Sequence, residues 1–121
     1  MARKKAAREL VEASSDLIES TDDLRAVLLR FKRRIADLQA VAQGEGGVSL
    51  VEAVEDARGD VMRAQVTDAL EVFETARHRV RVAMIRLAIE QGSNASAVGR
   101  SIGISRQLAY RLASEVKSNN S

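Results

Sequence analysis

"VGRSIGISRQLAYRL", residues 98–112, contains two short runs with helical spacing, and Gly103 separates them. Asn94 precedes the first run and Ser105 the second, and both side chains are typical of the residue that caps a helix N-terminus. A glycine ends a helix readily because it adopts the left-handed backbone conformation without a Cβ penalty. The pattern therefore predicts a helix, a turn and a second helix, at 95–102, Gly103 and 106–116.

These two predicted helices resemble the helix-turn-helix unit of bacterial DNA-binding proteins over residues 95–114. In that family a small residue four positions before the turn glycine lets the helices cross closely, and here Gly99 and Gly103 hold those places. Gly92 lies eleven positions before Gly103, as in many sigma-factor-like and resolvase-like members. Alanine is more usual at position 99, and glycine within a helix costs up to about 1 kcal/mol. The resemblance assigns these residues to the core of the unit: Val98, Gly99, Ile102, Gly103, Ile104, Ala109 and Leu112.

The resemblance also implies which side chains meet DNA. Helix-turn-helix proteins place their second helix in the major groove, with its N-terminal residues against base edges. At the start of that helix, Arg106 can pair bidentately with guanine and Gln107 with adenine. Ser105 and the backbone amides beside it suit a phosphate.

Three further residues complete the predicted DNA contacts. Tyr110 and Arg111 lie one turn further along the second helix, where they can read bases or hold phosphate. Arg100, on the first helix, is expected to touch backbone phosphate. For each of the six residues the alternative interpretation is an ordinary solvated helix surface.

Two long apolar stripes precede this unit. Apolar residues recur at alternating spacings of four and three over 10–42 and again over 62–87, and Ser14 and Thr21 interrupt the first stripe. Such spacing puts the residues on one side of a long helix, as in coiled coils and helix bundles. The predicted seam consists of Leu17, Leu24, Leu28, Phe31, Ile35, Leu38, Val66, Phe73 and Val80.

A glycine-rich segment, "QGEGG", separates the stripes and predicts a chain reversal at 43–49, because clustered glycines end a helix. Ser49 and Glu52 form a capping box for the next helix. Gly59 is expected to kink that helix. The sequence therefore predicts a hairpin of two long helices over 9–91.

One such hairpin has two apolar stripes and little against which to bury them. Two hairpins paired across a two-fold axis would bury both stripes as a four-helix bundle. We therefore expect a homodimer. The alternative is a monomer whose second stripe is covered by the C-terminal helices.

The composition favours helices and limits the chemistry. The chain has no cysteine, proline or tryptophan, and its aromatic residues are Phe31, Phe73 and Tyr110. The lack of cysteine excludes disulfides and thiolate metal sites. His78 is the single histidine, and a lone histidine is a poor metal site, so we interpret it as a surface residue.

The charge is unevenly spread along the chain. Residues 77–121 carry eight basic groups against Glu90 and Glu115, a surplus of six, so with a net charge of +2 the rest of the chain sums to −4. A basic end on a mildly acidic body suits a nucleic-acid reader. The arginines of "ARHRVRVAMIR", residues 76–86, can flank the DNA backbone or pair with acidic neighbours such as Glu71 and Glu74.

No enzyme signature occurs in the sequence. There is no P-loop, no paired His–carboxylate spacing and no nucleophile elbow, so we expect a protein without catalytic activity or cofactor, and no small-molecule effector is implied. No run reaches the roughly 18 apolar residues of a membrane span, and no apolar stretch follows the basic start. We expect a cytoplasmic, nucleoid-associated protein.

These observations predict an all-α protein made of a basic arm, a long hairpin, a helix-turn-helix and a disordered tail, at 1–8, 9–91, 92–116 and 117–121. The expected function is sequence-specific binding of double-stranded DNA by a homodimer, in transcription regulation. Two alternatives stay open. One is an architectural or partition-type DNA binder with little sequence preference. The other is a helical adaptor whose coiled-coil face binds another protein.

Overall fold

The computed structural model describes the backbone of residues 2–120 and the side chains of residues 3–115. This part of the chain is all-helical, with no strand, as the sequence predicts. Across the same residues no helix is both long and apolar enough to span a membrane. The helices are α1 Ala2–Ala42, α2 Leu50–Asp56, α3 Gly59–Glu90, α4 Ala95–Ile102 and α5 Arg106–Asn120.

The helices divide into two compact units, each described by itself below. We call Glu19–Phe73 the hairpin unit. The second unit, which we call the head unit, combines Met1–Ile18 with Glu74–Ser121. The start of α1 and the helices α4 and α5 therefore belong to the same unit.

Several helix ends lie where the local sequence predicts them. The chain reverses between the end of α1 and the start of α2, and the amide of Glu52 donates to Ser49 Oγ at 3.2 Å as the predicted N-cap. Gly44, Gly46 and Gly47 all have positive φ in this reversal. Because such angles are costly for residues with a Cβ, the glycines explain why the helix stops here.

The predicted kink at Gly59 is a full break between two helices. α2 ends at Asp56, Arg58 has a φ of +54°, and α3 begins at Gly59 itself. A Cβ on Gly59 would lie 2.8 Å from Val54 Cγ1. The glycine therefore permits a close turn onto α2, which a kink within one helix would not require.

Of the two terminal predictions, the one for the C-terminal tail was wrong. The basic residues 2–8, an arm that we expected to fray or to extend the first helix, form the first turns of α1, and Arg3 Nε donates to the carbonyl of Glu90 at 3.0 Å. At the other end, α5 continues to Asn120, where we predicted a disordered tail from residue 117. No glycine or proline follows Gly103, so nothing in the sequence stops the helix. Ser121 lies outside the described residues.

In the head unit, the start of α1 and the end of α3 run antiparallel. Arg86 Nη1 donates to Glu9 Oε2 at 2.6 Å and Arg79 Nη1 to Asp16 Oδ2 at 2.9 Å. Apart from Ile85 of α3, the buried residues of these two segments are alanines, and Ala13 and Ala83 line the same cavity. Small side chains let helix backbones approach closely. The buried alanines are Ala6, Ala13, Ala76 and Ala83.

The predicted seam is only half-buried in the chain. Leu17, Leu24, Leu38, Val66, Phe73 and Val80 are intermediate in exposure. Leu28, Phe31 and Ile35 are exposed. The residues of α1 that are buried most deeply in the head unit are therefore alanines. They lie beside the leucine stripe, and we did not predict their burial.

Candidate nucleic-acid interface

The candidate interface is built on α4, α5 and the turn between them. Asn94 Oδ1 accepts from the amide of Ala97 at 2.9 Å and so caps α4, as predicted. Gly103 ends α4 with a φ of +77°, and the amide of Ile104 donates to the carbonyl of Gly99 at 3.0 Å. Ser105 Oγ then accepts from the amide of Leu108 at 3.1 Å and caps α5. The two caps and the left-handed glycine therefore determine where both helices begin and end.

Gly99 is where α4 and α5 approach most closely. A Cβ on Gly99 would lie 2.9 Å from the Cβ of Ala109, closer than real Cβ atoms come. Both residues are buried. Glycine is therefore required at this crossing, although alanine is more usual at this position. The close packing of the two helices offsets the low helix propensity of glycine.

A small apolar core holds the two helices in place. Ala109 and Leu112 of α5 are 0% and 2% exposed, and Val98 and Ile104 pack against them. Ile102 is half-buried and lines a cleft with Leu10. Gly103 is exposed, so its contribution is the backbone conformation.

Sequence reasoning missed a fully buried residue of α3 that belongs to this core. Ile85 of α3 is 0% exposed and belongs to the same cluster as Ala95, Ala109 and Leu112. Its neighbour Val82 packs against that cluster as well. The available signal was a second apolar row on α3 beside the predicted stripe. The core is thus shared by three helices, whereas we had expected α4 and α5 to supply it alone.

All six candidate contact residues are exposed, while the opposite face of α5 is buried in the core. Four of them lie within the first two turns of α5. Ser105 precedes that helix, and Arg100 lies in the last turn of α4. The four on α5 are Arg106, Gln107, Tyr110 and Arg111.

Arg106 and Tyr110 are in contact one turn apart on α5. Arg106 Nε donates to Tyr110 Oη at 3.1 Å, and its guanidinium carbon lies 5.5 Å from the ring centroid. This combination restricts the arginine side chain while engaging a single one of its nitrogens. The two terminal nitrogens of Arg106 keep the fork geometry that recognises guanine or a phosphate.

Three of the four arginines in the second half of α3 form ion pairs within the chain. Arg77 Nη2 contacts Glu74 Oε2 at 2.7 Å, in agreement with the pairing alternative for this segment. Arg79 and Arg86 pair with residues of α1, as described above. These three side chains are therefore poorer candidates for phosphate contacts than those of α4 and α5.

His78 of α3 contacts the side chain of Glu115 on α5. Its Nε2 lies 2.7 Å from Glu115 Oε2 of α5, and both side chains are about half exposed. Among the described residues, no group of three or more potential metal ligands comes together. His78 is thus a surface residue, with α5 as its partner.

Searches of protein-family models, curated proteins and solved structures find no match to this chain.

Proposed function

We propose that this chain binds double-stranded DNA by placing the N-terminal half of α5 in the major groove. The observation that carries the proposal is the two-sided character of α5. One side is buried against α3 and α4 through Ala109 and Leu112. The other side exposes Arg106, Gln107 and Arg111 to solvent. A helix that packs against the protein on one side and exposes such side chains on the other has the arrangement of a recognition helix.

The base contacts in this proposal come from the first turn of α5. Arg106 donates its terminal nitrogens to O6 and N7 of guanine, and Gln107 donates to and accepts from an adenine edge. These pairings discriminate among bases, because the major groove presents a distinct donor and acceptor pattern for each base pair. The proposal is therefore sequence-specific recognition.

Phosphate contacts position the helix in the groove. Ser105 stands at the N-terminus of α5, where amide groups and the helix dipole favour an anion. Arg100 and Arg111 are exposed near this end. Such contacts supply affinity and register without reading sequence. The basic surplus of residues 77–121 adds a long-range attraction for the DNA backbone.

We further propose that the protein acts as a homodimer, in transcription regulation. The support is the half-buried seam, whose apolar residues a single chain leaves accessible. A two-fold dimer presents two recognition helices, and its site on DNA is then two-fold symmetric.

The proposal is tested by selecting bound fragments from genomic DNA at near-physiological salt. Wild type is compared with the double variant Arg106→Ala/Gln107→Ala. The matched control is Arg25→Ala/Gln65→Ala, which removes the same two exposed residue types from the hairpin unit. We expect one enriched two-fold-symmetric sequence, kept by the control and lost by the double variant.

The other results have distinct meanings. Broad enrichment that survives the double variant, with a steep salt dependence, indicates an architectural DNA binder. No retention of DNA even at low salt contradicts the proposal and favours the adaptor.

A further inference from the structure

The hairpin unit fully buries none of its apolar side chains within one chain. Of its residues Glu19–Phe73, all of which the structure describes, Ser20 alone is buried. α2 is the most open part, with Leu50 and Val51 exposed at 58% and 66%. Branched apolar side chains so exposed, side by side on one short helix, are typical of an interaction surface.

Beside α2 lies an apolar cavity of about 330 Å³, lined by residues of α1, α2 and α3. Phe31, Ile35 and Val54 contribute to its walls. Arg34 of α1 and Arg63 of α3 line the same cavity, and neither forms an ion pair with a described residue. Two like charges beside an apolar surface favour a partner that brings both apolar and acidic side chains.

The hairpin unit itself carries such a combination. Its basic segment, residues 30–34, holds four Arg or Lys residues. Its acidic segment, residues 52–60, holds four Asp or Glu residues and includes most of α2. No ion pair joins the two segments within the described chain, where the ion pairs lie in the head unit. Among the described residues the two segments of opposite charge are thus not paired with each other, and Arg34 of the basic segment lies beside the apolar cavity.

We infer that the occupant of this cavity face is a second copy of the chain. In this arrangement the α2 of one copy packs Leu50 and Val51 on the cavity of the other, and its acidic segment meets the partner's basic segment. A two-fold axis forms the same contact twice, because an isologous interface uses one self-complementary patch on both subunits. This inference rests on the homodimer of the proposed function and locates its interface.

A charge-swap experiment on the full-length chain tests the arrangement by sedimentation equilibrium without DNA. One variant, Arg30→Glu/Arg33→Glu/Arg34→Glu, leaves Lys32 as the one base of residues 30–34 and makes the basic segment acidic, and the other, Glu52→Lys/Glu55→Lys, makes the acidic segment basic. Each variant alone places like charges at both contacts, and we expect its dimer Kd to rise at least ten-fold. An equimolar mixture restores attraction at both contacts, so a heterodimer should form with near wild-type affinity.

The control is Lys4→Glu/Lys5→Glu, which makes a similar reversal at exposed positions of the head unit and should leave the dimer unchanged. Circular dichroism checks the helix content of every variant. Recovery in the mixture also requires both variants to be folded. Should either variant fail to fold, cysteine cross-linking replaces the swap, since the chain has no cysteine of its own.

In that second measurement, Arg34→Cys is mixed with Glu55→Cys under mild oxidation. We expect a disulfide between different chains, and none when Arg34→Cys is mixed with Lys4→Cys.

A wild-type chain that stays monomeric at high micromolar concentration overturns the inference, as does a dimer whose Kd neither charge reversal changes. If the monomer binds a small apolar anion and Arg34→Glu abolishes that binding, the occupant of the cavity is a different molecule, and the inference is also overturned. None of these readouts involves DNA, so failure here is distinct from failure of the DNA contacts.

Discussion

Gly99 of α4 and Ala109 of α5 approach so closely that a Cβ at position 99 would lie 2.9 Å from that of Ala109. The neighbour is a short side chain on a buried helix face, with 0% exposure, and cannot rotate away. The crossing therefore determines how α5 lies on the rest of the head unit.

Gly99→Ala is expected to lower the stability of the protein although it raises helix propensity. Propensity favours alanine by about 1 kcal/mol, whereas forcing an extra methyl group into a packed contact costs about 1–3 kcal/mol. The expected net loss is about 1 kcal/mol, measured by urea unfolding. The double variant Gly99→Ala/Ala109→Gly moves the methyl group to the other helix and should recover part of the loss. A stabilised single variant would show that the helices separate freely.

Tyr110→Phe is expected to weaken specific DNA binding while leaving the fold intact. Tyr110 is 49% exposed, so its hydroxyl contributes to positioning Arg106 rather than to the core. Loss of the bond to Arg106 Nε should raise Kd for the selected site a few-fold. Arg106→Ala should cost about 1–3 kcal/mol of discrimination for a bidentate guanine contact. Fluorescence anisotropy with matched and mismatched duplexes measures both.

The control for Tyr110 is Ser114→Ala, which removes another exposed hydroxyl, one bonded to the backbone of Tyr110. Its DNA affinity should equal that of wild type. If Tyr110→Phe weakens matched and mismatched duplexes equally, Tyr110 holds a phosphate directly and does not act through Arg106.

Glu9→Gln is expected to destabilise the protein more than Asp16→Asn does. Both substitutions remove the charge of an acid paired with an α3 arginine at similar distance. The Arg86 and Glu9 side chains are 15% and 32% exposed, but those of Arg79 and Asp16 are 56% and 52% exposed. The first loss should be about 1–3 kcal/mol, since a partly buried charge-assisted hydrogen bond is weakened, and the second below about 1 kcal/mol. Equal losses in chemical denaturation would mean that solvent screens both pairs alike.

Ala13→Leu tests the close packing of α1 in the head unit. Ala13 is 3% exposed and lies between Glu9 and Asp16, which pair with α3 at 2.6 and 2.9 Å, so the larger side chain should force the helices apart. The expected cost is about 1–3 kcal/mol, typical of overpacking. The control Glu12→Leu adds a leucine at an exposed neighbouring position. A thermal melt that shifts equally for both variants would contradict close packing at Ala13.

Local signals account for what could be predicted from the sequence. Asn94, Ser49 and Ser105 cap the helices that follow them, because a cap depends on atoms within three residues. Gly103 ends α4 for an equally local reason. The starts of α2, α4 and α5 and the end of α4 followed from such signals, whereas the end of α5 did not.

Long-range packing accounts for what was missed. The burial of Ile85 depends on α5 returning to α3, and the leucine stripe of α1 masked the deeper burial of Ala6 and Ala13. The left-handed Arg58 has no local signature either, since arginine rarely adopts that conformation. None of these features can be derived without knowing which helices meet.

The ion pair between Asp16 and Arg79, at 2.9 Å, also has a topological meaning. It joins the two segments of the head unit beside Ile18 and Glu74, where the chain leaves the unit and re-enters it. The hairpin unit is therefore an insertion between two neighbouring points of one small helical body. Excising residues 19–73 and closing the gap with a short loop would leave a continuous miniature that carries α5 together with Ile85, whereas a fragment beginning at Gly92 would lack Ile85, which packs against α5.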